Sequence, residues 1–141
     1  MIRNTAEARR TLRFAEELNS ITEAIIGAAI TVHRELGPGL LESVHETCLA
    51  YQLRKLGHKV NRQQALPIVF DELRVDNAFR IDLEVDDEVF VEIKATDIKP
   101  VHEAQLLTYL RLGNRTVGLL LNFNVVALKR GIRRLVNDFP R

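Results

Sequence analysis

The chain is short of the residues that several common kinds of site require. Its single cysteine excludes an intramolecular disulfide and fits a reducing compartment. Cys48 lies within a helical apolar pattern and reads as a small core residue. One Cys and four scattered His do not make a zinc pattern, and His33 and His58 look incidental. Aromatic residues are only 6% of the chain, with no base-stacking cluster and no Gly-rich phosphate loop, so base-specific recognition is not expected. Phe70, Phe79, Phe90 and Phe123 are better explained as core. The longest apolar stretches, 24–32 and 117–121, are far too short to span a bilayer. The N-terminus shows no signal-peptide h-region, and a cytoplasmic protein is expected. Internal repeats, low-complexity tracts and an interdomain linker are missing too.

What is present bounds the architecture. A chain of 141 residues that is 46% hydrophobic and 28% charged can bury one real core and is too short for two ordinary domains. Residues 1–17 read as an amphipathic or frayed N-terminal extension, and 18–141 as a single domain. The net charge of +1 hides clustering. Arg3, Arg9, Arg10 and Arg13 lie near the start, and Lys129, Arg130, Arg133, Arg134 and Arg141 near the end, with Asp138 the one acid after Val125. Such patches can track phosphates. The alternative is a solvated amphipathic helix whose basic end suits the helix dipole, and without aromatic interleaving the charge pattern alone favours that alternative.

Periodicity predicts the elements. A helix is expected from Ser20, where Ser20-x-x-Glu23 reads as a capping box, to Gly37-Pro38-Gly39. A second runs from about Leu40 to Leu56 and stops at Gly57. Strands follow near 58–63 and 66–70, with a turn at Asp71-Glu72. Pro100 opens a third helix, 101–112. Residues 115–123 look like an interior strand covered on both faces. A last helix is expected over about 125–136. The order α-α-β-β-β-β-α-β-α describes a mixed sheet with helices on its faces.

The chemistry concentrates between 79 and 95. Apolar residues at 81, 83 and 85 and at 89, 91 and 93 alternate with other residues, the period of half-buried strands. A loop at Asp86, Asp87 and Glu88 places both apolar sets on one face and sets Asp82 opposite Glu92. Like charges directly opposite on a sheet are destabilising. A cation would reverse that penalty, because converging carboxylates hold Mg²⁺ or Mn²⁺. Lys94 projects from the same face as Glu92, about 6.6 Å further along the strand, where it can orient water or stabilise a transition state. Taken alone, Glu92 and Lys94 also fit an exposed strand face with a surface ion pair. Glu42 in the first turn of the second helix is a candidate third ligand, and it equally suits that helix's positive end. His45, one turn on, either supports Glu42 or substrate phosphate, or is a satisfied structural histidine. Gln105 and Tyr109 share a helix face, with His102 near it.

Gly37-Pro38-Gly39-Leu40-Leu41-Glu42, Arg80-Ile81-Asp82, Val91-Glu92-Ile93-Lys94 and the run from Pro100 to Leu110, including Gln105-x-x-x-Tyr109, together resemble the GxxExxY proteins of the PD-(D/E)XK nuclease-like superfamily. The resemblance covers about 18–136. It implies an α/β fold, an α+β mixed sheet with a restriction-endonuclease-like αβββαβ core and flanking helices. It implies Mg²⁺ (or Mn²⁺) bound by Asp82, Glu92, Glu42 and the Ile93 carbonyl, and catalysis by Lys94, Glu92, Asp82 and Gln105. His45, His102 and Tyr109 are then substrate-binding or supporting residues. Two positions depart: His45 stands where the family name has Tyr, and Ile81 where the superfamily nominally has Pro. The function implied is metal-dependent hydrolysis of phosphodiester bonds in nucleic acid, DNA before RNA, with a homodimer or partner protein compatible with so small a domain. The alternatives are a catalytically silent nucleic-acid-binding or protein-interaction module on the same fold, and a metal hydrolase of small nucleotides.

Overall fold

The computed structural model describes residues 5–138. The first helix, α1 (Ala6–Leu36), is longer than expected. Thr5 caps it, its Oγ accepting from the Ala8 N–H at 3.1 Å. Ser20 and Glu23 therefore lie inside the helix and start nothing. Only Gly27 interrupts a run of tolerable helix residues before Gly37, so nothing local stops the turn from propagating through 6–36. Leu18, Ile25, Ala28, Ala29 and Val32 form its buried stripe. Gly37 and Gly39 take positive φ (74° and 92°) and turn the chain into α2 (Glu42–Lys55). Among the described residues no helix is long and apolar enough to cross a membrane.

The two strands expected near 58–63 and 66–70 are one, β1 (Val60–Phe70), with a register shift between Leu66 and Ile68. Pro67 sits in that irregularity, and β1 is an edge strand, where a missing N–H is tolerated. Then come β2 (Leu73–Val85), β3 (Val89–Lys94), α3 (Pro100–Leu112), β4 (Val117–Asn122) and β5 (Ile132–Val136). The sheet order is β1-β2-β3-β4-β5, with only β3 and β4 parallel. The mixed sheet with helices on both faces has the αβββαβ order expected.

Two cores result. Leu83, Val85, Val89, Val91, Ile93, Leu119, Leu121 and Phe123 pack with α1 and α2. Phe79, Ile81, Phe90 and Leu120 pack with Leu106 and Leu110 of α3. Phe79, Phe90 and Phe123 are thus core, but Phe70 is 75% exposed at the tip of the β1–β2 ribbon, which reaches past β3 and has no layer over it. Cys48 is half-buried against the first core.

The helix expected over 125–136 is absent. Residues 128–131 form a 3₁₀ turn and β5 follows. The reason is β4, every residue of which is buried. Its backbone groups need a ladder on both sides, and β5 supplies the second, running from Leu121↔Ile132 to Val117↔Val136. Gly131 lets the chain pass closely over the end of β4, where any Cβ would collide with the Asn122 carbonyl oxygen.

Gly131→Ala is expected to lower stability by about 2 kcal/mol, since backbone must shift to admit the methyl. Gly27→Ala, in an exposed helical position with open space around it, is expected to raise stability by about 0.5–1 kcal/mol. Urea unfolding of both variants measures the two opposite signs.

Candidate active site

The β2–β3 hairpin has the register expected. Leu83↔Val91, Glu84↔Phe90 and Val85↔Val89 are paired, which sets Asp82 opposite Glu92. The ladder stops there, and side chains continue it. The Asp82 N–H donates to Glu92 Oε1 at 2.9 Å, and the Ile93 N–H donates to Asp82 Oδ2 at 2.8 Å. Each carboxylate takes the place that a backbone carbonyl would hold.

The expected single apolar face of β2 does not survive past this point. Leu83 and Val85 face the α1–α2 core, whereas Phe79 and Ile81 face α3. Strict alternation would keep all four on one side, so the strand rolls at Asp82. Its partner rolls with it. Arg62 pairs with Leu83 and Gln64 with Ile81, while Gln63 between them is left out of the ladder with φ of 50°. A left-handed, non-glycine residue inside a strand is strained, at about 1 kcal/mol or more. The strain has a visible return. The Gln63 amide Nε2 donates to Glu46 Oε1 at 2.6 Å and to Asp82 Oδ1 at 3.2 Å, bridging two acids. Arg62 holds the other Glu46 oxygen through Nε at 3.1 Å and Nη2 at 3.0 Å.

Glu46, Gln63 and Arg62 were not singled out from sequence. Glu46 stands one helical turn beyond Glu42 on the same stripe of α2. It is buried and joined to Asp82 through Gln63, whereas Glu42 is exposed at the first residue of the helix. A Glu at both i and i+4 was the available signal. The Gln63 contribution depends on a roll in the ribbon that no periodicity announces.

The remaining expected residues separate into two groups. Tyr109 comes to the site. Its ring stacks on Phe79 at 4.8 Å, and its hydroxyl pKa is raised by burial and then by the charges of Glu92 and Asp82, so it stays a neutral donor. Lys94 is half-buried at the end of β3, and its charge favours the ionised form of Glu92. Gln105 is exposed one turn before Tyr109 on α3. His102 caps α3, its Nδ1 accepting from the Lys99 N–H at 3.0 Å. His45 points into the core: it stacks on Phe123 at 4.4 Å and bonds the Gly37 carbonyl oxygen through Nε2 at 3.0 Å. Of the two readings of His45, the structure gives the satisfied structural one. Nor is His33 incidental to the fold, since its Nε2 lies 2.8 Å from the Val125 carbonyl oxygen. His58 pairs with Asp86 in the hairpin loop at 2.7 Å.

Glu92 is the strained charge. It is 6% exposed, and its pKa is pushed up to about 7, first by burial and second by Asp82. The bond from the Asp82 N–H and the charge of Lys94 oppose that rise, and Glu46 adds to it. Two hard-oxygen donors that repel each other are a donor set that a divalent cation would relieve. Among the described residues no three His, Cys, Asp or Glu side chains are arranged to hold a metal ion. A cation here would therefore rest on Asp82 and Glu92 with main-chain or substrate oxygens, a mode that suits Mg²⁺.

Residues 19–135 match the family model of the PD-(D/E)XK nuclease superfamily. The chain belongs to that superfamily. No curated protein and no solved structure matches it. The mixed sheet with its flanking helices is consistent with the restriction-endonuclease-like fold of that superfamily.

The Glu92 carboxyl predicts an unusual pH dependence. Below about pH 4.5 both folded and unfolded chains hold its proton. Between 4.5 and about 7 the unfolded chain ionises while the folded one does not, so stability falls as pH rises; above 7 the loss is complete. The full change is on the order of 3 kcal/mol. Thermal melts of wild type and Glu92→Gln in EDTA from pH 4.5 to 8 are expected to diverge, with the variant the more stable at pH 8. Parallel curves would show that Glu92 is not under this strain.

Proposed function

We propose that this protein is a metal-dependent nuclease of the GxxExxY type, hydrolysing phosphodiester bonds in nucleic acid, DNA in preference to RNA. The observation that carries the reading is the exchange of main-chain bonds between Asp82 and Glu92, which fixes two repelling carboxylates side by side with Lys94 next along the same strand face. A sheet built only for stability would close that ladder with carbonyls.

In this reading Asp82 and Glu92 would hold Mg²⁺ or Mn²⁺, with the Ile93 carbonyl as a further oxygen donor; Glu42, exposed at the first residue of α2, makes no third side-chain ligand with them. When bound, the cation supplies charge neutralisation at the phosphoryl group and makes hydroxide accessible near neutral pH. The chain's own residues do the rest. Gln63 anchors Asp82 Oδ1 to Glu46 and so keeps Asp82 from turning away. Lys94 orients the attacking water and stabilises negative charge that develops on the phosphoryl oxygens. Tyr109, neutral and within electrostatic reach of both acids, donates a hydrogen bond to a phosphate oxygen or a water, with exposed Gln105 one turn earlier on α3 as its companion. His102 acts indirectly by setting the start of α3. A homodimer or partner protein would extend the surface that so small a domain offers to a duplex.

Cleavage of a panel of double-stranded, single-stranded and branched DNA and RNA tests this. Cutting is expected with Mg²⁺ or Mn²⁺, is expected to stop in EDTA, and is expected to fall at least about a hundredfold in Lys94→Ala, the scale of one lost transition-state donor. Normal cleavage by Lys94→Ala removes Lys94 from the mechanism. A folded protein that binds metal and cuts nothing would instead be a binding module on the nuclease fold. Mg²⁺ is also expected to raise the melting temperature at pH 8, where Glu92 is ionised, and to do so much less in Asp82→Asn.

A further inference from the structure

Arg130 and Arg133 do not lie on an α-helix: Arg130 is in the 3₁₀ turn and Arg133 on β5, so the dipole of the expected helix does not account for them. Both line a recess of about 270 Å³, together with Asp97, Ile98, Asn122, Val125 and Gly131. Its place in the sheet is defined by register. Glu92 pairs with Leu120 across β3 and β4, and Leu120 with Arg133 across β4 and β5, so Glu92 and Arg133 share one row and one face. Two strand spacings separate them, about 10 Å. In the next row Lys94 pairs with Asn122, which lines the recess.

The donors are held in place. Gly131 presses the 3₁₀ turn onto the end of β4, which fixes the backbone of Arg130 and Arg133 relative to Asn122. The Arg133 Nη1 donates to the Arg130 and Ile132 carbonyl oxygens at 3.3 and 3.0 Å, which leaves Nε and Nη2 as further donors of the guanidinium. Asn122 is buried, and its Oδ1 accepts from the Asn124 N–H at 2.9 Å, so its amide N–H₂ is what remains to offer. Guanidinium groups and amide N–H together are a tetrahedral-oxyanion donor set. Charged residues on an edge strand commonly serve only to prevent edge pairing. That suffices for Arg134, which lies on the other face and bonds Asn19 at 3.0 Å. It does not explain Arg130 in the turn or a buried Asn122 at the floor.

We propose that this recess binds a phosphodiester group of the nucleic-acid strand, a neighbour of the one presented to Asp82, Glu92 and Lys94. The proposal rests on the nuclease reading and gives the substrate a direction: the strand runs across the sheet from β3 toward β5. Asp97 is the one acid in the lining and opposes the anion, so it supplies a control of opposite sign.

The test uses the full chain in EDTA. Titration of ¹⁵N-labelled protein with inorganic phosphate is expected to give saturable shifts at 97–98, 122 and 130–133 that disappear in Arg130→Gln/Arg133→Gln. With a labelled single-stranded DNA oligonucleotide, the double variant is expected to bind about tenfold more weakly, with a salt slope shallower by about 0.7, the value of one phosphate on a single strand. Asp97→Asn is expected to bind it severalfold more tightly, and carries the test if the double variant melts abnormally. Absence of phosphate shifts in the recess, or oligonucleotide affinity unmoved by these substitutions, overturns the proposal. Mn²⁺-dependent hydrolysis of bis(4-nitrophenyl) phosphate needs the Asp82 site and not the recess. Loss of that activity with the shifts intact would sink the nuclease reading alone, and activity without the shifts would sink the recess alone.

Discussion

Two carboxylates that repel each other stay together here because each accepts a main-chain N–H from the other's strand. The Asp82 amide holds Glu92, and the Ile93 amide holds Asp82. The exchange is possible only where the β2–β3 ladder opens, and it opens because β2 rolls at Asp82. The roll in turn assigns the two ends of the ribbon to different cores: Val60, Leu83 and Val85 to the α1–α2 side, Leu66, Phe79 and Ile81 to the α3 side. The site and the layer structure therefore share one cause. A substitution that straightened the ribbon would misplace apolar residues in both cores as well as the acids.

Gln63 sits at the other side of that roll. Its left-handed backbone is unfavourable by itself, and in an ordinary strand a glycine would relieve it. Glycine has no side-chain amide to span Glu46 and Asp82, so the residue type is constrained by the bridge rather than by the backbone. The bridge ties α2 to the hairpin, and Arg62 closes the other oxygen of Glu46. Glu46 is thereby a buried acid with both oxygens satisfied, in contrast to Glu92, whose neighbours leave its charge under strain. The two acids lie close together yet do different work: one braces and the other is poised.

Local pattern carried much of this into the sequence and stopped at identifiable places. The alternation on either side of Asp86-Asp87-Glu88 restricts the hairpin to registers with an even partner sum, and the three-residue loop that satisfies this is the one the structure shows. The α3 start was legible in Pro100, and the buried character of β4 in its continuous Val117–Leu121 run. What stayed hidden depends on tertiary demand. Leu128, Ile132 and Leu135 have helical spacing, but β4 needs a second partner, and that need outweighs a weak local preference. The start of α1 was missed because a capping-box sequence is also an ordinary helix interior when the preceding turn is already formed. A helix face narrows a carboxylate to a stripe and not to a turn, so the sequence does not distinguish buried Glu46 from exposed Glu42.

Stability alone does not ask for Glu92. The Asp82 N–H would be met equally by a carbonyl, and a neutral side chain in its place would avoid both the burial of a charge and the repulsion from Asp82. The surrounding core, with Phe90, Leu120 and Val91 fully buried beside it, is well able to hold an apolar residue there. Keeping an acid whose proton leaves only near pH 7 makes the folded chain less stable in the range where most proteins work. Such a locally unfavourable group, braced by a strained Gln63 on one side and set beside a lysine on the other, is the pattern expected where function rather than folding selects the residue. The same reasoning does not extend to His45 or His102, each of which commits one ring nitrogen to the scaffold: His45 Nε2 fastens α2 to the end of α1, and His102 Nδ1 sets the start of α3.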